Sequence, residues 1–119
     1  MSEFQPAPVK PVISHDLLQA IDVRLGTIKA VEDVPTSRKL VKLTVSFGDH
    51  SRRILAGIKL ERDPAALIGC QALFVVNLEP RTMAGEVSEG MLFDIGYADQ
   101  LTPALAVPEV PLPDGARAG

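Results

Sequence analysis

The sequence predicts an all-β fold, five strands closed into a small barrel with short helices and extended terminal arms. Three observations predict it. Apolar and polar residues alternate strictly over 41–47, a turn at Gly48-Asp49-His50 returns the chain as a hairpin, and a short helix signal falls between the third and fourth apolar runs. The 119 residues suffice for one domain, which at this size buries roughly 65% of its unfolded surface and needs no disulfide staples.

Each element follows from its residues. Residues 1–13, with Pro6, Pro8 and Pro11, read as a flexible arm. Ser14 can cap a turn of helix beginning at His15, with Asp16 suiting the helix dipole and Leu17 and Leu18 expected to dock it on the rest. Ile21, Val23 and Leu25 then alternate with polar residues. The phase slips before Ile28 and Ala30, which predicts a bulge or bend near Gly26 in a long first strand. Val41, Leu43, Val45 and Phe47 form the inward face of the second strand, and Ser51 to Ala56 the third. Asp63 caps a short helix with Pro64 at its first position and Gly69 ending it. Ala72 to Val76 is a strand apolar on both faces, residues 78–87 a loop, and Met91 to Ile95 the closing strand. Residues 98–119 hold four further prolines and one short strand signal at 104–107. This order, with the helix between strands three and four, is that of an OB-fold barrel. The expected organisation is an arm over 1–13, a barrel over 14–97 and a proline-rich extension over 98–119.

Composition excludes several function classes. One cysteine, Cys70, rules out a disulfide framework or thiolate metal site and suits a reducing compartment. No apolar run is long enough to span a membrane, and the N-terminus lacks a leader pattern, so a cytoplasmic chain is expected. Neither His15 nor His50 has ligand or nucleophile partners at useful spacing, and no glycine-rich phosphate loop is present. The expectation is a non-enzyme without metal or cofactor. The net charge of −3 conceals an asymmetry. Residues 38–62 carry Arg38, Lys39, Lys42, Arg52, Arg53, Lys59 and Arg62 against two acids, a net +5, whereas 79–119 are net −5. A basic stretch of this kind is either solvated strand surface or a nucleic-acid footprint. The few aromatic residues leave little to stack splayed bases.

The segment NLEPRTMAGEVSEGM, residues 77–91, is a polar, proline- and glycine-bearing connection between two apolar strands, where binding groups on a small barrel commonly sit. Together with Asp22-Val23-Arg24-Leu25-Gly26, Ser37-Arg38-Lys39-Leu40 and Ala56-Gly57-Ile58, it resembles the tRNA-binding domain family. That family includes the C-terminal domains of methionyl-tRNA synthetases, free-standing tRNA-binding proteins and CsaA-type secretion chaperones. The resemblance implies an OB-fold that reads tRNA shape and, in free-standing members, a homodimer joined through terminal segments. By position in the family's motifs it places Lys39, Asn77, Arg81, Met83, Ser88 and Glu89 on the binding face. The basic stretch adds Lys42, Arg52 and Arg53.

Cations that many tRNA-binding members carry around Arg81 are here Glu79, Thr82, Ala84 and Glu86. Ala84-Gly85 and Ser88-Glu89 resemble the chaperone branch, whereas Asn77-Leu78 and Gly90-Met91 resemble the tRNA branch. Two readings therefore stand. One is a homodimeric tRNA-binding protein, with an aminoacyl-tRNA synthetase as a candidate partner. The other is an export chaperone holding unfolded polypeptides in an apolar groove lined by Met83, Val87 and Met91.

Overall fold

Residues Val23–Asp33 form one long strand, β1, that serves both halves of the barrel. The computed structural model describes residues 4–119; the first three residues of the expected arm lie outside the described residues. Ahead of β1 stands α1 (His15–Gln19). After it come β2 (Val41–Ser46), β3 (Ser51–Ala56), a 3-10 turn over Pro64–Leu67 and β4 (Gln71–Val75). The chain continues through β5 (Arg81–Met83), β6 (Glu86–Ser88), β7 (Met91–Leu92) and β8 (Asp94–Ile95). A second 3-10 turn over Tyr97–Asp99, then β9 (Ala104–Leu105) and β10 (Arg117–Ala118), complete it. The main sheet runs β3-β2-β1-β4-β7, all antiparallel, with β10 on β1. The fold is the expected all-β barrel.

The inward face is the one that alternation marks. Val41, Leu43, Val45 and Phe47 are at most 4% exposed and meet Ile28, Ile54, Phe74 and Leu92 in one core. Burying each such side chain contributes roughly 1.5–3 kcal/mol, several times what an exposed ion pair supplies. Asp63 caps the first 3-10 turn through its carboxylate, which accepts from Ala65 N.

Four expectations are corrected. The irregularity in β1 lies between Ile28 and Ala30, where the register with β2 shifts, and not near Gly26. Gly26 lies within the regular ladder with β4, and its missing Cβ makes room for Val45 and Phe47. The phase slip was legible; its position was not, because glycine's signal there came from packing. Second, residues 78–87 are not simply a loop. They contain the β5–β6 hairpin, turned at Ala84 and Gly85 with φ of 52° and 81°, the two consecutive positive values of a tight hairpin turn. Third, Leu17 and Leu18 do not dock α1; each is 55% exposed. The helix is held at its end instead, where Asn77 Nδ2 donates to Ala20 O. Fourth, the closing strand is broken into β7 and β8, and β8 pairs with β9.

The C-terminal segment binds its own barrel. Leu73 N donates to Ala106 O, Gly115 N to Leu25 O and Leu25 N to Ala116 O. β10 thereby fills the edge of β1 that β2 leaves free before Thr27. Residues 4–13 are exposed throughout, Val9 and Val12 almost completely.

Candidate nucleic-acid interface

The pleat of β2 and β3 separates their basic residues. Val41, Leu43 and Val45 point inward, so Lys42 and Thr44 point outward. Thr44 pairs with Arg53 and Lys42 with Leu55, which puts Arg53 on the same outer face. Arg52, its neighbour in sequence, falls on the other side of the strand. There its guanidinium donates to His50 Nε2 (3.1 Å), Val76 O (2.6 Å) and Glu89 O (3.0 Å).

The β5–β6 hairpin stands beside this face. Ser88 Oγ accepts from Leu55 N at 2.9 Å and donates to Gly90 O at 2.9 Å. Glu89 N donates to Arg53 O at 2.8 Å, and Glu89 Oε1 accepts from Arg53 N at 2.8 Å. Side chains thus complete a seam between β3 and the corner leading to β7. At the hairpin tip, Thr36 Oγ1 donates to Ala84 O at 3.3 Å, tethering the turn to the loop that carries Arg38 and Lys39. Register places Arg81 opposite Ser88 and Met83 opposite Glu86, on the hairpin face turned toward β2 and β3.

The nine candidate residues therefore divide. Lys39, Arg53 and Arg81 are exposed and Met83 is half-buried. Lys42 faces the same surface, but its ammonium lies 3.2 Å from Glu86 and 3.8 Å from Glu32 and its side chain is 20% exposed. Arg52, Asn77, Ser88 and Glu89 spend hydrogen-bonding groups on backbone partners. Asn77 is a clasp: Oδ1 accepts from Asp22 N at 2.8 Å while Nδ2 holds α1. Thr44 and Arg38 were not among the nine candidates, although the alternation already set Thr44 outside with Lys42 and Arg38 belongs to the basic stretch. The apolar residues expected to line one groove separate: Met83 and Val87 lie on opposite hairpin faces, and Met91 belongs to the outer face of the β4–β7 pair.

A second charged cluster closes the other end of the barrel, around a cleft of about 140 Å³ lined by Asp22, Arg24, Phe47, Asp49, His50, Arg52 and Val76. Arg24 donates to both Asp22 oxygens, at 2.6 and 3.1 Å, and this hydrogen bonding holds the Asp22 carboxyl below its ordinary value. The same bond raises Arg24. Asp49 is held low by its hydrogen bond with His50. Among the described residues no group of three or more His, Cys, Asp or Glu is placed to hold a metal ion. No helix among them is long and apolar enough to cross a membrane.

Comparison with known proteins agrees with this architecture. The family model described as "Putative tRNA binding domain" matches residues 23–117. A methionine–tRNA ligase from Chlorobium chlorochromatii is 43% identical over 90 residues, which are 76% of this chain and 13% of the ligase. The chain spans about an eighth of the length of such curated relatives. Among solved structures, a MetRS-related protein from Pyrococcus horikoshii superposes with a TM-score of 0.85 at 32% identity, over 92% of this chain and all of that one. The CsaA chaperone protein from Picrophilus torridus gives 0.80 at 27% identity, over 91% of this chain and all of its own.

Proposed function

The chain belongs to the tRNA-binding domain family, and on that premise we propose that it is a non-catalytic, cytoplasmic homodimer that recognises tRNA by shape. The surface is the outer face of β2 and β3 with the β5–β6 hairpin and the 34–40 loop beside it. One observation carries this reading: in a chain of net charge −3, the pleat and hairpin gather Arg53 and Arg81, which form no ion pair among the described residues, onto one face with Lys42. Lys39, Arg53 and Arg81 neutralise phosphates, Met83 offers an adaptable apolar contact, and Lys42 joins once it leaves Glu86. Three to five such contacts give a slope of log affinity against log salt of about −3 to −5. Titrating bulk tRNA at two or more salt concentrations tests this. A slope near zero would remove the electrostatic face.

Self-association is supported by apolar surface on the outer side of β1, β4 and β7. Val23, Val75 and Met91 lie in one row across these strands, and Ile21, Met91 and Phe93 remain about half exposed, as do Leu17 and Leu18 of α1. A second copy covering this face would bring two basic surfaces into one assembly and strengthen binding through avidity. Because the tail bonds its own barrel, its contribution would come from outward side chains such as Val107 and Val110. The solution mass of the full chain, and of a chain lacking 100–119, tests both parts.

The same apolar face supports a second reading, a chaperone for unfolded polypeptides, which the likeness to CsaA makes specific. Titrating one sample against tRNA and against an unfolded model polypeptide separates the two. An aminoacyl-tRNA synthetase acting beside this chain is a third partner to test by co-purification.

A further inference from the structure

We propose that Glu89, with Ser88, is a positioning residue for the RNA face and makes no contact with RNA; this rests on the RNA-binding reading above. Ser88 is 3% exposed, and its hydroxyl is engaged as acceptor from Leu55 N and donor to Gly90 O. RNA could not reach it without opening the barrel. A carboxylate beside Arg53 and Arg81 would repel phosphate, yet Glu89 occupies that place. The geometry explains it: Glu89 exchanges two bonds with one residue, its N–H to Arg53 O and its Oε1 from Arg53 N, both 2.8 Å. The pair replaces a rung of ladder with a side chain.

The consequence falls on Arg53. With its backbone N–H and C=O both held by Glu89, its guanidinium is kept on the outer face with Thr44 and Lys42. From the opposite side of β3, Arg52 fastens the same corner through Glu89 O and Val76 O. The seam fixes the hairpin bearing Arg81 relative to the strand bearing Arg53. Two cations held at fixed spacing lose less freedom on binding than two mobile ones, so the seam supplies preorganisation.

The test compares Glu89→Ala, Glu89→Gln and Arg53→Ala with the unaltered chain. It reads tRNA affinity across salt and amide hydrogen exchange at Arg53 and Leu55 without RNA. Glu89→Ala should weaken tRNA binding about 5- to 10-fold, the scale of one lost hydrogen bond, with the salt slope unchanged and Arg53 exchange accelerated. Glu89→Gln keeps an acceptor and should match the unaltered chain in both. Arg53→Ala should reduce the slope by about 0.9, as one lost phosphate contact. If Glu89→Ala does not fold, Glu89→Asp, one methylene short of the Arg53 amide, takes its place with the same readouts. Unchanged affinity in Glu89→Ala overturns the proposal. So does a Glu89→Gln variant as weak as Glu89→Ala with unaltered Arg53 exchange, because the charge itself would then be acting on RNA. An unaltered chain that binds no tRNA overturns the functional reading, whereas the exchange data still report whether Glu89 clamps Arg53.

Discussion

Thr27 and Asp114, 87 positions apart, meet through a hydrogen bond of 2.6 Å from Thr27 Oγ1 to Asp114 Oδ1. The same oxygen accepts from Gln71 Nε2 at 3.0 Å. Thr27 and Gln71 are register partners on β1 and β4, so one carboxylate oxygen fastens the tail across two barrel strands. The extension is thereby part of the fold.

Replacing Asp114 by Ala leaves the Thr27 hydroxyl without its partner and Gln71 Nε2 with Leu112 O alone. The expected cost is about 1.5–3 kcal/mol, the range for hydrogen bonds to a charged group, seen as a lower Tm. Asp114→Asn, which keeps an acceptor, should lose less. Thermal melts decide it, and equal melting of all three proteins would show the tail latch to be energetically idle.

Gly26→Ala should destabilise by about 1–3 kcal/mol through overpacking. An added Cβ would lie 2.5 Å from Val45 Cγ1 and 2.8 Å from the Phe47 ring, both buried and unable to retreat. Denaturant unfolding measures it, with an unchanged m-value expected.

The adjacent arginines of β3 should behave oppositely. Arg53→Ala is expected to weaken tRNA binding and flatten the salt slope while leaving the folding stability within about 0.5 kcal/mol of the original. Arg52→Ala should lower the Tm, since Val76 O and Glu89 O lose their donor. Arg81→Glu should weaken binding far more than Arg117→Glu, which alters a residue of β10 away from the hairpin. Parallel melting and titration of the four variants checks this, and equal effects for Arg81 and Arg117 would displace the proposed face.

Acid should weaken the closed end of the barrel. Asp22 and Asp49 titrate lower in the folded chain than in the unfolded one, so the unfolded chain binds more protons as pH falls. Their contribution is complete above about pH 4, the ordinary carboxylate value, and is lost as pH drops through the lowered folded values. Both groups meet solvent, so the effect is small and screened by salt. Asp22→Asn should flatten the fall of Tm between about pH 4 and 2 and leave its pH dependence from 7 to 5 unchanged.

Phe93→Glu places a charge on the apolar outer face where Phe93 is 46% exposed. The expected outcome is a monomer by light scattering with an intact fold by circular dichroism. A dimer that survives this change would move the self-association surface elsewhere.

Much of the barrel was legible because burial writes itself as period two. The alternation at 41–47 named the inward side chains correctly, and the capping residues Ser14 and Asp63 marked real turns. The candidate site was legible only as a set of residue types in a family motif. Asn77, Ser88 and Glu89 are polar groups in a connecting segment, which reads equally as ligand contact or backbone partner. Their partners lie 55 positions away for Asn77, 33 for Ser88 and 36 for Glu89. No local pattern encodes a hydrogen bond across such a separation.

The sequence by itself determined the all-β barrel class, the inward face of the second strand and the concentration of positive charge in residues 38–62. These follow from nearest neighbours, through steric preference, alternation and charge. Tertiary structure alone decided where the β1 bulge falls, that the tail closes on its own barrel, and which basic residues share a surface. Arg52 and Arg53 carry the same charge one position apart. The pleat sends one into the seam and the other to the outer face, and only the pairing of β3 with β2 and with the Ser88–Glu89 corner fixes which is which.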